Sequence, residues 1–88
     1  MEQKRTVSIE RMHVLDGDRP TKAFCDILLG GAFAVKGLRV IEGKEGLFLG
    51  MPQEQSRDGK WYDIFRPASP EIRKELQDLV LEHYKKTR

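Results

Sequence analysis

One stretch of this chain repeats its apolar residues at helical spacing, and it comes last. Ile72, Leu76, Leu79, Val80 and Tyr84 follow one another at intervals of four, three, one and four, which places all five on one face of an amphipathic helix. Ser69-Pro70-Glu71 supplies its start. The serine hydroxyl caps an orphan N–H, the proline lacks a donor where none is needed, and the acid faces the positive end of the helix dipole. Lys85, Lys86 and Arg88 put cations at the other end. A helix of about 17 residues is ~25 Å long, and the rest of the chain has to fold around it.

Everything ahead of Ser69 reads with a period of two. Residues 5–15 place Val7 and Ile9 on one parity and Met12 and Val14 on the other, so the phase slips between Ile9 and Met12, as a β-bulge requires. Asp16-Gly17-Asp18-Arg19-Pro20 is a turn by composition. Residues 21–29 form a second strand with Ala23, Cys25, Ile27 and Leu29 on one parity, Gly30-Gly31 turns the chain, and residues 32–41 form a third. A fourth strand covers 47–51 and a fifth 60–65, the fifth expected to pair with the fourth. The polar stretch 52–59 lies between them. Arg57-Asp58-Gly59 suits a hairpin turn, and the length of the stretch predicts mobility.

The segment GKEG, residues 43–46, invites another reading. A G-x-x-G loop with a basic residue clamps the nucleic-acid backbone in the KH module. That clamp joins two helices. Here the flanks are Leu38-Arg39-Val40-Ile41-Glu42 and Leu47-Phe48-Leu49-Gly50-Met51, short runs suited to strands. GKEG therefore reads as a hairpin turn, with Lys44 at its tip.

The order β-β-β-β-β-α defines an α+β class: one domain over residues 1–88, with an antiparallel sheet of about five strands followed by a single C-terminal amphipathic helix. Coverage is then the difficulty. Five strands at ~4.8 Å spacing span about 20 Å, and one helix about 10 Å across shields roughly half of one face. Yet Leu47, Leu49 and Met51 oppose Phe48, and Trp61 and Phe65 oppose Tyr62 and Ile64. A chain of 88 residues also has a marginal core. A homodimer that extends the sheet or packs one sheet on another answers both problems, with Phe48, Trp61 and Phe65 as candidate interface residues.

Charge and chemistry narrow the function. Sixteen Lys and Arg against fourteen Asp and Glu leave a formal charge of +2 and a pI of about 8.8, which permits nucleic-acid binding without demanding it. Cys25 is the only cysteine, so no intrachain disulfide forms, as suits a reducing cytoplasm. No apolar run approaches a membrane span, and MEQKRTVSIERMHV lacks the apolar core of a secretory signal. Cytoplasmic location and no membrane insertion are expected, with residues 1–4 and 87–88 fraying.

Catalytic signals are missing: there is no H-x-x-x-H, no C-x-x-C, no Gly-rich phosphate loop and no nucleophile elbow. Cys25 reads as a small apolar strand residue, His13 as a strand surface residue, and His83 as a helix C-terminal cation. Asp58 and Asp63 suit turn and strand-edge roles better than an acid–base pair. A non-enzymatic protein with no cofactor and no metal is expected.

Nucleic acid is the stronger class. Arg39, Lys44, Arg57, Lys60 and Arg66 cluster between the third and fifth strands, and Trp61, Tyr62 and Phe65 interleave with them. Exposed aromatics beside cations stack on bases in single-strand binders. The plainer reading makes Trp61 and Phe65 core or dimer contacts and the charges solvated edges. Arg73, Lys74, Lys85 and Lys86 form a second basic group on the helix, either a solvated face or phosphate contacts.

One run is more specific than any of these. "LRVIEGKEGLFLGMP", followed by Asp58-Gly59, by Asp63-Ile64 with Pro67 beyond, and by a single C-terminal helix, resembles the stage V sporulation protein G (SpoVG) family from Val7 to about Tyr84. The resemblance implies a small cytoplasmic bacterial protein with an antiparallel sheet and a C-terminal helix. It also implies a homodimer that influences septation and sporulation and binds DNA and/or RNA as a regulator, without enzymatic activity. Candidate nucleic-acid contacts are Arg57, Lys60, Arg66, Arg73 and Lys74. The family often carries an adjacent Lys-Arg after its M-P pair; Glu54 and Gln55 stand at the matching positions here, so those two contacts do not carry over. The alternative is a protein-interaction adaptor in cell division and septum formation, with division-machinery proteins as partners and no direct nucleic-acid binding.

Overall fold

The alternating segments become strands, and the two central ones carry the core. In the computed structural model, residues 7–87 are described. They form β1 (Val7–Val14), β2 (Thr21–Leu29), β3 (Phe33–Gly43), β4 (Gly46–Gly50), β5 (Gln53–Gln55), β6 (Trp61–Asp63) and α1 (Pro70–Thr87). An antiparallel four-stranded sheet has the order β1-β2-β3-β4, and β5 and β6 make a separate two-stranded sheet. The expected fraying of residues 1–4, and of Arg88, falls outside the described residues; Thr87, expected to fray with Arg88, instead ends α1, its Oγ1 donating to His83 O at 2.8 Å.

The phase slip in the first strand is a register shift between Ile9 and Arg11. A second irregularity lies between Cys25 and Ile27, where β3 carries extra length opposite Asp26. Gly37 accommodates it with φ of 90°, open to glycine at little cost. Its N–H donates to Asp26 Oδ1 at 3.3 Å, so the bulged backbone keeps a partner. GKEG is a turn: Gly43 pairs with Gly46, leaving Lys44 and Glu45 as the loop.

α1 lies across one face of the sheet. Ala23, Ile27, Leu38, Val40, Leu49 and Val80 are fully shielded, and Cys25, Met51, Leu76 and Tyr84 nearly so. The helix stripe is the one its spacing predicts, with Ile72 and Leu79 at the flanks. Ser69 caps it, its Oγ accepting from Ile72 N at 3.2 Å. Cys25 is an inert core residue. Burial, with the Asp26 charge adding to it, pushes its thiol up to about 11, away from the reactive thiolate.

The helix also seals a sheet edge. Leu49 turns its backbone groups away from β3, where Gln77 Oε1 accepts from Leu49 N at 3.1 Å and Arg73 Nη2 donates to Leu49 O at 3.1 Å. Two side chains one helical turn apart thus replace a neighbouring strand. The outer face of the sheet has no such cover. Phe24 and Phe48 are 42% and 40% exposed there, with Leu28 and Ile41 half-buried beside them.

The expected α+β class, an antiparallel sheet followed by one helix, is what forms, but the expected pairing of the fifth strand with the fourth needs correction. The segment after β4 does not return to pair with it. Pro52 is buried at the end of the β4 line, close to Gly37. The chain then leaves the sheet, and Gln53–Gln55, read from sequence as mobile loop, becomes the partner of Trp61–Asp63. A run of Gln, Glu and Gln lacks the apolar alternation that marks a strand, so only the turn beyond it was readable.

Candidate nucleic-acid interface

β5 and β6 form a short arm whose strand residues are all exposed. Its geometry therefore comes from hydrogen bonds rather than burial. Gln53 pairs with Asp63, Glu54 with Tyr62 and Gln55 with Trp61. Ser56 N donates to Lys60 O at 2.9 Å and Gly59 N to Ser56 O at 3.0 Å. Gly59, with φ of 87°, closes the turn in a conformation that glycine favours. Asp58 ties it down: its carboxylate accepts from the Ser56 hydroxyl and, at 3.0 Å, from Lys60 N. These bonds, the serine's foremost, hold the Asp58 carboxyl below its ordinary value. Gln55 Nε2 donates to Gly59 O at 3.0 Å, and Gln53 Nε2 to Asp63 Oδ1 at 2.8 Å. Asp58 and Asp63 are thus both occupied in structural bonds.

The two faces of the arm differ. Period-two alternation puts Glu54, Lys60, Tyr62 and Ile64 on one side and Gln53, Gln55, Trp61 and Asp63 on the other. Arg57, in the turn, lines an open surface depression with Glu54, Gln55, Ser56, Tyr62 and Ile64. Tyr62 is 51% exposed and Trp61 60%.

The candidate cations separate by what they already hold. Arg57, Lys60 and Arg66 are exposed, and their side chains make no ion pair or hydrogen bond among the described residues. On the helix, Arg73 is bound to Leu49 O, Lys74 pairs with Asp78 at 3.1 Å, and Lys86 pairs with Glu82 at 3.2 Å. Arg39 reaches Met51 O at 3.4 Å. The structure brings Arg57 and Lys60 together on the arm and leaves Arg73 and Lys74 on a separate element. Of the candidate interface residues, Phe48 is on the outer sheet face and Trp61 on the arm, while Phe65 is half-buried against the core.

The roles of Arg73 and Gln77 at the β4 edge, and of Gln53 and Gln55 in the arm, were not read from sequence. The i, i+4 spacing of Arg73 and Gln77 on one flank of the apolar stripe is the only signal that pointed to them. Among the described residues, no group of three or more His, Cys, Asp or Glu is placed to hold a metal ion, and no helix is long and apolar enough to cross a membrane.

The family model described as SpoVG matches residues 3–86. The chain belongs to the SpoVG family. A protein of Archaeoglobus fulgidus named "Putative septation protein SpoVG" is 38% identical over 74 residues, covering 84% of this chain and 87% of that one. Proteins of the same name from Staphylococcus saprophyticus and Staphylococcus aureus are 42% and 40% identical over 77 residues, covering 88% of this chain and 76% and 77% of theirs. Membership covers the sheet, the arm and the helix together. It bears out the resemblance carried by Leu38–Pro52 and the residues that follow. Glu54 and Gln55, where the SpoVG resemblance leads one to expect a basic pair, lie in β5 rather than in a loop.

Proposed function

We propose that this SpoVG protein is a non-enzymatic, cytoplasmic regulator that binds DNA and/or RNA through its arm, works as a homodimer, and influences septation and sporulation. The observation that carries this reading is the placement of unengaged cations. Arg57 and Lys60 sit on the arm and Arg66 just beyond it, while on the helix Arg73, Lys74 and Lys86 are engaged within the chain and Lys85 alone of that group has no partner among the described residues. The septation role rests on the name that its relatives carry. Phosphate contacts supply most of the affinity and little of the sequence choice. Glu54 places an opposing charge on the same face.

The second copy answers the coverage problem. Phe24 and Phe48 remain exposed on the outer sheet face, and the β4 edge is occupied at Leu49. Packing face on face therefore fits better than adding strands at that edge. A dimer presents each arm twice, which raises effective concentration on one nucleic acid. Sedimentation equilibrium at micromolar concentration is expected to give about twice the 10.2 kDa chain mass, and Phe48→Asp to dissociate the pair. A clean monomer contradicts the dimer.

The functional test is a salt titration against short duplex DNA, single-stranded DNA and RNA. Arg57→Ala with Lys60→Ala should weaken binding to all sequences alike and lower the salt slope by about one unit per lost contact. Glu54→Lys with Gln55→Arg should tighten binding at low salt. If neither changes binding while fold and dimer persist, the arm is not the contact surface. The exposed Phe24 and Phe48 favour one other reading, an adaptor in cell division and septum formation. Salt-insensitive capture of a division protein, with no nucleic acid bound, identifies it.

A further inference from the structure

Tyr62 has no packing role that accounts for it. It is 51% exposed, and its cross-strand neighbour Glu54 is exposed as well. Its depression is lined by Glu54, Gln55, Ser56 and Arg57, with the exposed Ile64 as the one aliphatic side chain. Lys60 precedes it by two positions on the same face, and Arg57 shares its surface depression. A planar ring flanked by unengaged cations is the arrangement that receives a nucleobase on the ring and backbone phosphates on either side.

The opposite face makes the contrast. Trp61 is more exposed, yet its face carries Gln53, Gln55 and Asp63 and no cation. Each face carries one carboxylate, Asp63 there and Glu54 beside Tyr62, so the cation makes the difference. Of the two exposed rings on the arm strands, Tyr62 is the one that shares a depression with a cation, Arg57. The shape of the ligand follows from the ring. Duplexes keep their base faces stacked against one another, whereas single strands offer them.

We infer that the arm takes single-stranded nucleic acid, with Tyr62 as a base-stacking platform between the phosphate contacts Arg57 and Lys60. This rests on the nucleic-acid reading of the arm and names the class of strand it accepts. Each copy of the chain carries one platform, and Glu54 opposite Tyr62 limits how tightly phosphate is held.

The test measures anisotropy of labelled twelve-nucleotide oligo-dT, oligo-U and a blunt mixed-sequence duplex over several salt concentrations. The proteins are the wild type, Tyr62→Ala, Tyr62→Phe and the double variant Arg57→Ala with Lys60→Ala, each checked for an unchanged melting temperature. The single strands should bind more tightly than the duplex. Tyr62→Ala should weaken single-strand binding by roughly 5- to 150-fold, the range for loss of one stacked base. It should leave the salt slope and duplex affinity as they were, and Tyr62→Phe should restore binding. Equal affinity of Tyr62→Ala and wild type for single strands overturns the platform, and so does tighter binding of the duplex. The underlying reading fails separately: if the double variant leaves affinity and salt slope unchanged for every ligand, the arm does not hold phosphate.

Discussion

Two hairpins follow each other in this chain and are held by different forces. In the first, β3 and β4 meet across Lys44-Glu45, and Val40 and Leu49, paired across it, are both at 0% exposure beneath α1. In the second, β5 and β6 meet across the Ser56–Gly59 turn, and none of their residues is buried. Burial of apolar surface stabilises the first by roughly 1.5–3 kcal/mol for each large side chain. The second relies on hydrogen bonds of Asp58, Gln53 and Gln55, which compete with water at an exposed site. An isolated two-stranded hairpin is marginal at best. The single helix covers the sheet, and the arm strands are left exposed.

The largest effect should come from the covered region. Leu38→Ala should cost about 2–5 kcal/mol in urea unfolding, since Leu38 is fully buried. Tyr62→Ala should stay within about 0.5 kcal/mol of wild type, as an exposed site does. Equal costs would break the contrast between the hairpins.

An intermediate effect should appear at the sealed edge. Arg73→Ala should cost about 1–2 kcal/mol and Gln77→Ala about 0.5–1.5 kcal/mol, because each strips Leu49 of a partner. The double variant should also associate through the opened edge, visible as concentration-dependent light scattering. Full stability with no association would show that the helix side chains do not seal β4.

The smallest effect should be local and acid-dependent. The folded Asp58 carboxyl lies below its ordinary value, so its contribution to the turn is present above that value and is lost as pH falls through the lower, folded one. Amide exchange of Lys60, whose N–H is bound to Asp58, should lose protection in Asp58→Asn at neutral pH, with the global melting curve unchanged. A shifted global transition would tie the arm to the core.

What the sequence made legible follows the same division. The helix, its Ser69 cap, the bulge after Ile9, the GKEG turn and the buried parity of β2 were readable because burial imposes a period on apolar residues. β5 was not, because an exposed strand of Gln, Glu and Gln has no apolar pattern to show. Pairing of the fifth strand with the fourth was expected from succession alone. Pro52, which is buried, and the exit of the chain from the sheet after it prevented that pairing. At the site, clustering of Arg57 and Lys60 was visible in the sequence. That Trp61 and Tyr62 face opposite ways was visible as well; that Arg73 is engaged with Leu49, and that Glu54 lies across from Tyr62 and Gln55 across from Trp61, needed the fold.

The most direct measurement compares binding and stability in one variant. Arg57→Ala, Lys60→Ala and Tyr62→Ala combined removes the cations and the ring from the arm and touches nothing buried. Affinity for single-stranded oligonucleotide should fall by more than about tenfold and the salt slope by about two units, while the melting temperature stays within roughly 4 °C of wild type. Retained binding, or loss of binding together with a fall in melting temperature like that of Leu38→Ala, would contradict the division between a body that holds the fold and an arm that holds the ligand.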